Sequence, residues 1–137
     1  MSTELEMDIV VDTSVIVAVI AHEPQRGTLI ELTRGADLLA PASVHWEIGN
    51  AFSAMLKRNR IELEQALQAI AAYRQIPVRY VDVELDDALE IAARYAIYAY
   101  DAYLIRCGLK FNAPLLSLDS GLLQAAAQAG VHVIEVA

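Results

Sequence analysis

The 137-residue sequence predicts an α/β protein with a central parallel sheet of five strands and helices on both of its faces. Three observations carry that expectation. Short β-rich segments alternate with helical ones along the whole chain. The five strand segments are short and separated by helices, which implies parallel pairing with helices on both faces. Glycine, proline or asparagine marks most of the junctions. No linker, internal repeat or low-complexity stretch interrupts the pattern, so residues 1–137 are expected to form one domain.

The elements follow in order. "DIVV" (8–11) reads as the first strand, and a helix follows from Thr13 to about His22. "EPQ" breaks it, and "RGTLIELTRG" reads as a short second helix ending near Gly35. "DLLAP" is a strand closed by Pro41. Long helices then run from about Ala42 to Asn59 and from Glu62 to about Gln75. Beyond Pro77 come the strand "VRYVDV", the helix "LDDALEIAARY" and the helix "YDAYLIRCGLKFN". The strand "PLLSLD", the helix "GLLQAAAQAG" and the strand "VHVIEV" complete the series.

Composition narrows the classes of function. Hydrophobic residues make up 56%, above the roughly 45–50% of ordinary globular domains, and much of the excess is alanine, which fits packed helices. No apolar stretch reaches the roughly 18 residues that cross a bilayer, so no membrane association is expected. The opening "MSTELEMD" is acidic and lacks the basic n-region of a signal peptide. With one cysteine, Cys107, there is no internal disulfide, and a reducing cytoplasm is the expected setting. Within "LIRCGL" that cysteine reads as a small core hydrophobe. The histidines His22, His45 and His132 show no zinc-like spacing. A net charge of −8 argues against coating nucleic acid through a basic surface. It does not argue against meeting a phosphodiester through a metal ion.

Four acids stand where carboxylates are costly. Asp12 and Asp119 each end a strand and precede a helix, the position of a helix cap and equally of an α/β active group. Ser117, two residues before Asp119, points to the same side of its strand. Glu47 lies on or beside the apolar stripe of Val44, Ile48, Ala51, Phe52 and Met55, with Asn50 projecting near it. Asp101 shares the stripe of Leu104, Ile105, Gly108 and Leu109 at the first turn of its helix. Four such acids in one small cleft require neutralisation. A hard divalent cation with oxygen ligands is the simplest source, and such a centre suits phosphodiester hydrolysis.

"VVDTSV", "PASVHWEIGNAF", "YDAYLI" and "LLSLDSGL", in this order and at these separations, resemble the acidic motifs of PIN-domain ribonucleases. The likeness spans roughly residues 8–136, and the short chain resembles the VapC-like toxins of bacterial toxin–antitoxin pairs. It implies a PIN-like three-layer α/β/α sandwich and a metal-binding catalytic quartet of Asp12, Glu47, Asp101 and Asp119. Thr13, Ser14, Asn50 and Ser117 become supporting polar residues. The resemblance further implies RNA cleavage dependent on Mg²⁺ or Mn²⁺, a homodimer, and inhibition by a cognate antitoxin. Ser117 stands where many relatives carry threonine, and "SGL" follows the last acid where they often carry a basic residue.

Lys57, Arg58 and Arg60 of "KRNR" join the two middle helices, either as a solvated turn or as an RNA-backbone contact at the cleft mouth. Tyr98, Tyr100 and Tyr103 read as core-side packing, with base stacking as the functional alternative. Position counts against two other phosphoryl-chemistry classes. A haloacid-dehalogenase-like site needs a second Asp two residues after the first, where Ser14 stands. A receiver domain needs a late lysine, and neither Lys57 nor Lys110 is placed for it. The rival reading is a non-catalytic PIN-like scaffold binding RNA or protein, which would be expected to lack one or more of the acids.

Overall fold

A computed structural model of the protein describes residues 7–136; the acidic segment at 1–6 lies outside them. Asp8–Val11 forms β1, which lies at the centre of a five-stranded sheet. Helices α1 (Thr13–Ile20) and α2 (Arg26–Thr33) lead to β2 (Asp37–Pro41); α3 (Ser43–Lys57) and α4 (Leu63–Tyr73) lead to β3 (Val78–Val81). The chain continues through α5 (Leu85–Tyr95) and α6 (Ala99–Phe111) to β4 (Leu115–Leu116), then α7 (Ser120–Gln128) and β5 (Val133–Ile134). The sheet order is β3-β2-β1-β4-β5, and every pairing is parallel.

Right-handed crossovers fix the layers. The first two connections step from β1 toward the β3 edge and place α1–α4 on one face. The later ones step the other way and place α5–α7 on the opposite face. The contacts agree: α1 packs on α2, α3 and α4, while α5 packs on α6, which lies over β1 and β2. The result is a three-layer α/β/α sandwich. Val10, Val11, Leu39, Leu115 and Leu116 are fully buried in the sheet. Each such side chain stabilises the fold by about 1.5–3 kcal/mol relative to exposure. Cys107 is buried among them, and burial pushes its thiol up to about 11, so it packs as a hydrophobe.

Helix ends follow local rules. His22, Asn59 and Asn112 sit at positive φ just beyond α1, α3 and α6, and Gly35 does so after α2. Ala96 takes the same conformation after α5, an arrangement that glycine tolerates far better. The last two strands are shorter than the apolar runs suggest. β4 pairs with β1 only through Leu115 and Leu116, because Ser117 leaves the ladder to serve the site described next.

Candidate active site

The strand order reverses direction at β1, so the carboxyl ends of β1 and β4 open the crevice in which α/β sheets bind ligands. Asp12 follows β1 directly, and Ser117 and Asp119 follow β4. Asp12 is 6% exposed, and such burial of a carboxylate requires donors. Three are present. The Ser14 hydroxyl donates to Asp12 Oδ1 at 2.7 Å, the Ser117 hydroxyl donates to Oδ2 at 2.7 Å, and the Val15 N–H donates to Oδ1 at 3.3 Å.

The two serines are themselves held from the other side. Ser14 Oγ accepts the Leu118 N–H at 3.1 Å, and Ser117 Oγ accepts the Asp119 N–H at 2.9 Å. Each hydroxyl proton therefore goes to Asp12 while its lone pair takes a backbone amide. The bridge ties β1 and α1 to the end of β4 across a sequence separation of 105 residues. Asp12 and Asp119 do cap their helices, Asp119 Oδ1 accepting from the Gly121 and Leu122 N–H groups. Capping uses one oxygen of Asp119 and leaves Oδ2 free of hydrogen bonds among the described residues.

Glu47 enters from the second turn of α3 and Asp101 from the first turn of α6. Asp101 caps nothing, since the α6 N-cap is Tyr98. Burial holds the carboxyls of Asp12, Glu47 and Asp101 above their ordinary range. Mutual repulsion adds to it: Asp119 acts on Asp12, Asp12 and Asp101 act on Glu47, and Asp119 and Asp12 act on Asp101. The four acids thus form one electrostatically coupled group. Glu47 Oε2, Thr13 Oγ1 and Ser43 Oγ are buried without a hydrogen-bond partner. The Ser43 and Thr13 hydroxyls are near enough to favour the ionised Glu47. Ser43 was not evident from the motifs, although its place four residues before Glu47 on one helix was a usable signal.

Among the described residues no three Asp, Glu, His or Cys side chains form a ready ligand cage. The donor set nonetheless fits Mg²⁺ or Mn²⁺. It consists of oxygens alone, with unpartnered acceptors on Glu47, Asp101 and Asp119, and Mg²⁺ takes one or two carboxylates while keeping waters. Thr13 and Ser14 stand beside this group, whereas Asn50 is exposed on α3 and its side chain makes no hydrogen bond among the described residues.

Lys57, Arg58 and Arg60 are exposed, but at the far end of α3 from Glu47. Arg60 lines a cleft with His22 and Glu23 beyond the end of α1. Ten residues of α3 separate Lys57 from Glu47, about 15 Å at 1.5 Å per residue, so the turn lies at the other end of the helix from that acid. Two of the three tyrosines differ from expectation: Tyr98 is 87% exposed and Tyr100 is exposed, whereas Tyr103 is half-buried and meets Tyr100 edge-on.

The family model described as PIN domain matches residues 9–128, and the chain belongs to the PIN-domain family. PIN domains are in general nucleases, and such nucleases usually employ divalent metals. Comparison with curated proteins finds no match. The fold is similar to PAE2754 from Pyrobaculum aerophilum, with a TM-score of 0.67 at 22% identity over 94% of this chain and 92% of that one. It is also similar to FitAcB from Neisseria gonorrhoeae, with a TM-score of 0.62 at 16% identity over 93% of this chain and 96% of that one. Among the described residues no helix is long and apolar enough to cross a membrane.

Proposed function

We propose that the protein is a Mg²⁺- or Mn²⁺-dependent endoribonuclease, the toxin of a toxin–antitoxin pair acting in the cytoplasm. The observation that carries this reading is the coupling of Asp12, Glu47, Asp101 and Asp119 at the crevice between β1 and β4. Asp12, Asp101, Asp119 and Glu47 would hold the ion. When bound, it supplies positive charge against the phosphate and eases deprotonation of water. Ser14 and Ser117 fix Asp12 in one orientation and favour its ionised form. Glu47 Oε2, buried without a hydrogen-bond partner, leaves an acceptor for the ion, and the Ser43 and Thr13 hydroxyls favour its ionised form.

The toxin assignment and the cognate antitoxin rest on the ordered motifs and on the PIN fold. The homodimer rests on an unpaired apolar surface: Leu85 and Leu89 lie one turn apart on α5 and are exposed, as are Tyr98 and Tyr100. Purified protein is expected to cleave RNA with Mg²⁺ or Mn²⁺, to stop in EDTA, and to lose cleavage on Asp12→Asn or Asp101→Asn. Cleavage that persists in EDTA, or in both variants, would overturn the metal reading. Light scattering is expected to return twice the monomer mass.

A further inference from the structure

Trp46, the only tryptophan of the chain, is 74% exposed, although an indole is among the most costly side chains to leave in water. One side of it packs against a ring cluster. The His45 ring meets Trp46 edge-on, with centroids 4.7 Å apart and planes at 78°. His45 Nδ1 is hydrogen-bonded to the Tyr73 hydroxyl at 2.7 Å, and Tyr73 to the Tyr80 hydroxyl. Tyr80 closes on His45 edge-on at 5.7 Å. The chain of rings joins α3, α4 and β3, so the indole is buttressed from below while its surface stays open. Together with Arg74 and Ile76 these rings line a cleft of about 440 Å³.

Position and charge indicate what fills it. Trp46 and Glu47 leave the same turn of α3 on different faces, so the cleft and the acidic group share that turn without sharing a lining residue. Arg74 makes no ion pair among the described residues, in a chain whose net charge is −8. An aromatic surface beside an unneutralised guanidinium suits a flat π-system joined to an anion. A nucleotide has that composition, and single-stranded nucleic acid is held by stacking combined with phosphate contacts. Protein interfaces also favour Trp, Tyr and Arg, so a second copy covering Trp46 is one outcome that the test below separates.

We infer that Trp46 is a stacking platform for an unpaired base of the RNA strand that enters the acidic crevice, with Arg74 meeting that strand's backbone. The inference rests on the ribonuclease reading and names the substrate state it requires: single-stranded at this position, with no choice of base imposed by the indole itself. Packing against His45 reduces the side-chain freedom lost on binding.

The single tryptophan makes the test direct. The Asp12→Asn chain, used to prevent cleavage, is titrated with a mixed-sequence single-stranded RNA in Mg²⁺ and in EDTA. Tryptophan emission and the anisotropy of labelled RNA are followed together. Emission is expected to be quenched in step with anisotropy. Adding Trp46→Ala is expected to weaken binding about tenfold and Trp46→Tyr to recover most of it. Arg74→Ala is expected to lower the salt slope by about 0.7. RNA binding by anisotropy with no change in emission overturns the platform and leaves the ribonuclease reading intact. Absence of RNA binding overturns both. A blue shift that depends on protein concentration alone shows a second copy covering Trp46 and overturns the proposal, as does quenching by duplex RNA equal to that by single strands.

Discussion

Replacing Ser117 with alanine removes one oxygen that serves two buried partners at once. The Ser117 hydroxyl donates to Asp12 Oδ2 at 2.7 Å and accepts the Asp119 N–H at 2.9 Å, and the residue is 1% exposed. The bond to the carboxylate is charge-assisted, and such bonds contribute about 1.5–3 kcal/mol. The orphaned amide adds a further cost of about 1–3 kcal/mol if no water replaces the oxygen. The two overlap, since both partners relax into the same small void, so a loss of about 2–4 kcal/mol is expected. For a domain of this size that lowers the melting temperature by roughly 6–16 °C. The loss also depends on pH. Burial already holds the Asp12 carboxyl above its ordinary range, and the Ser117 bond opposes that shift, so the variant raises it further. A carboxyl whose folded pKa is raised contributes stability fully below its unfolded pKa and loses it as pH rises through the folded value. The variant loses more across that interval, so its deficit is smallest near pH 4 and largest at neutral pH. Thermal melts in EDTA across this range, with Ser117→Thr retaining the hydroxyl as control, measure both effects. A deficit below about 0.5 kcal/mol, the ordinary scatter of surface substitutions, would refute the bridge, as would a deficit that does not vary with pH.

Other outcomes follow from the same geometry. Asp101→Asn removes a charge that repels Asp12 and Asp119 and caps no helix; in EDTA it is expected to melt at or above the wild type, and Mg²⁺ is expected to stabilise it less than wild type. Asp12→Asn is not a neutral replacement, because an amide cannot accept from both Ser14 and Ser117; its melting point in EDTA is expected to fall below that of Asp101→Asn. Metal-free wild type is expected to melt higher near pH 5 than at pH 7, because Asp12, Glu47 and Asp101 all have raised folded pKa values. Saturating Mg²⁺ is expected to reverse that order, and calorimetry at both pH values checks the pair. Ala96→Gly relieves a left-handed alanine at φ 54 and is expected to raise stability by about 0.5–1 kcal/mol, read from urea melts.

The alternation of elements was legible because each strand and helix carries its own period, and the parallel order followed from helices between strands. Strand ends were less legible. "PLLSLD" reads as six extended residues, but only Leu115 and Leu116 stay in the ladder, since Ser117 is drawn to Asp12 and Asp119 to the α7 amides. Apolar runs report burial, and they do not report where a hydroxyl finds a partner far along the chain. The four acids were visible as carboxylates in apolar surroundings. Capping was a true competing account for Asp12 and Asp119, and both do cap their helices; the role beyond capping is the reading proposed above. Lys57, Arg58 and Arg60 form the exposed turn after α3, since a charge run carries no information about which end of a helix meets a site. Trp46 gave no signal, since its exposure depends on a ring cluster contributed by α3, α4 and β3.

The hydroxyl bridge at Asp12 has a consequence in time. Ser14 and Asp12 leave the ribosome early, whereas Ser117 and Asp119 follow more than a hundred residues later. Until then Asp12 lacks one of its two hydroxyl donors, the β1–β4 crevice has one wall, and one member of the acidic group does not exist. Closing so long a loop is also a late step in folding. The nascent chain therefore lacks the assembled crevice until Asp119 has emerged, and a fragment that stops before it stays so permanently. The order of the four acids along the chain thus acts as a timer on assembly of the crevice, set by the residues that must be added between Asp12 and Asp119.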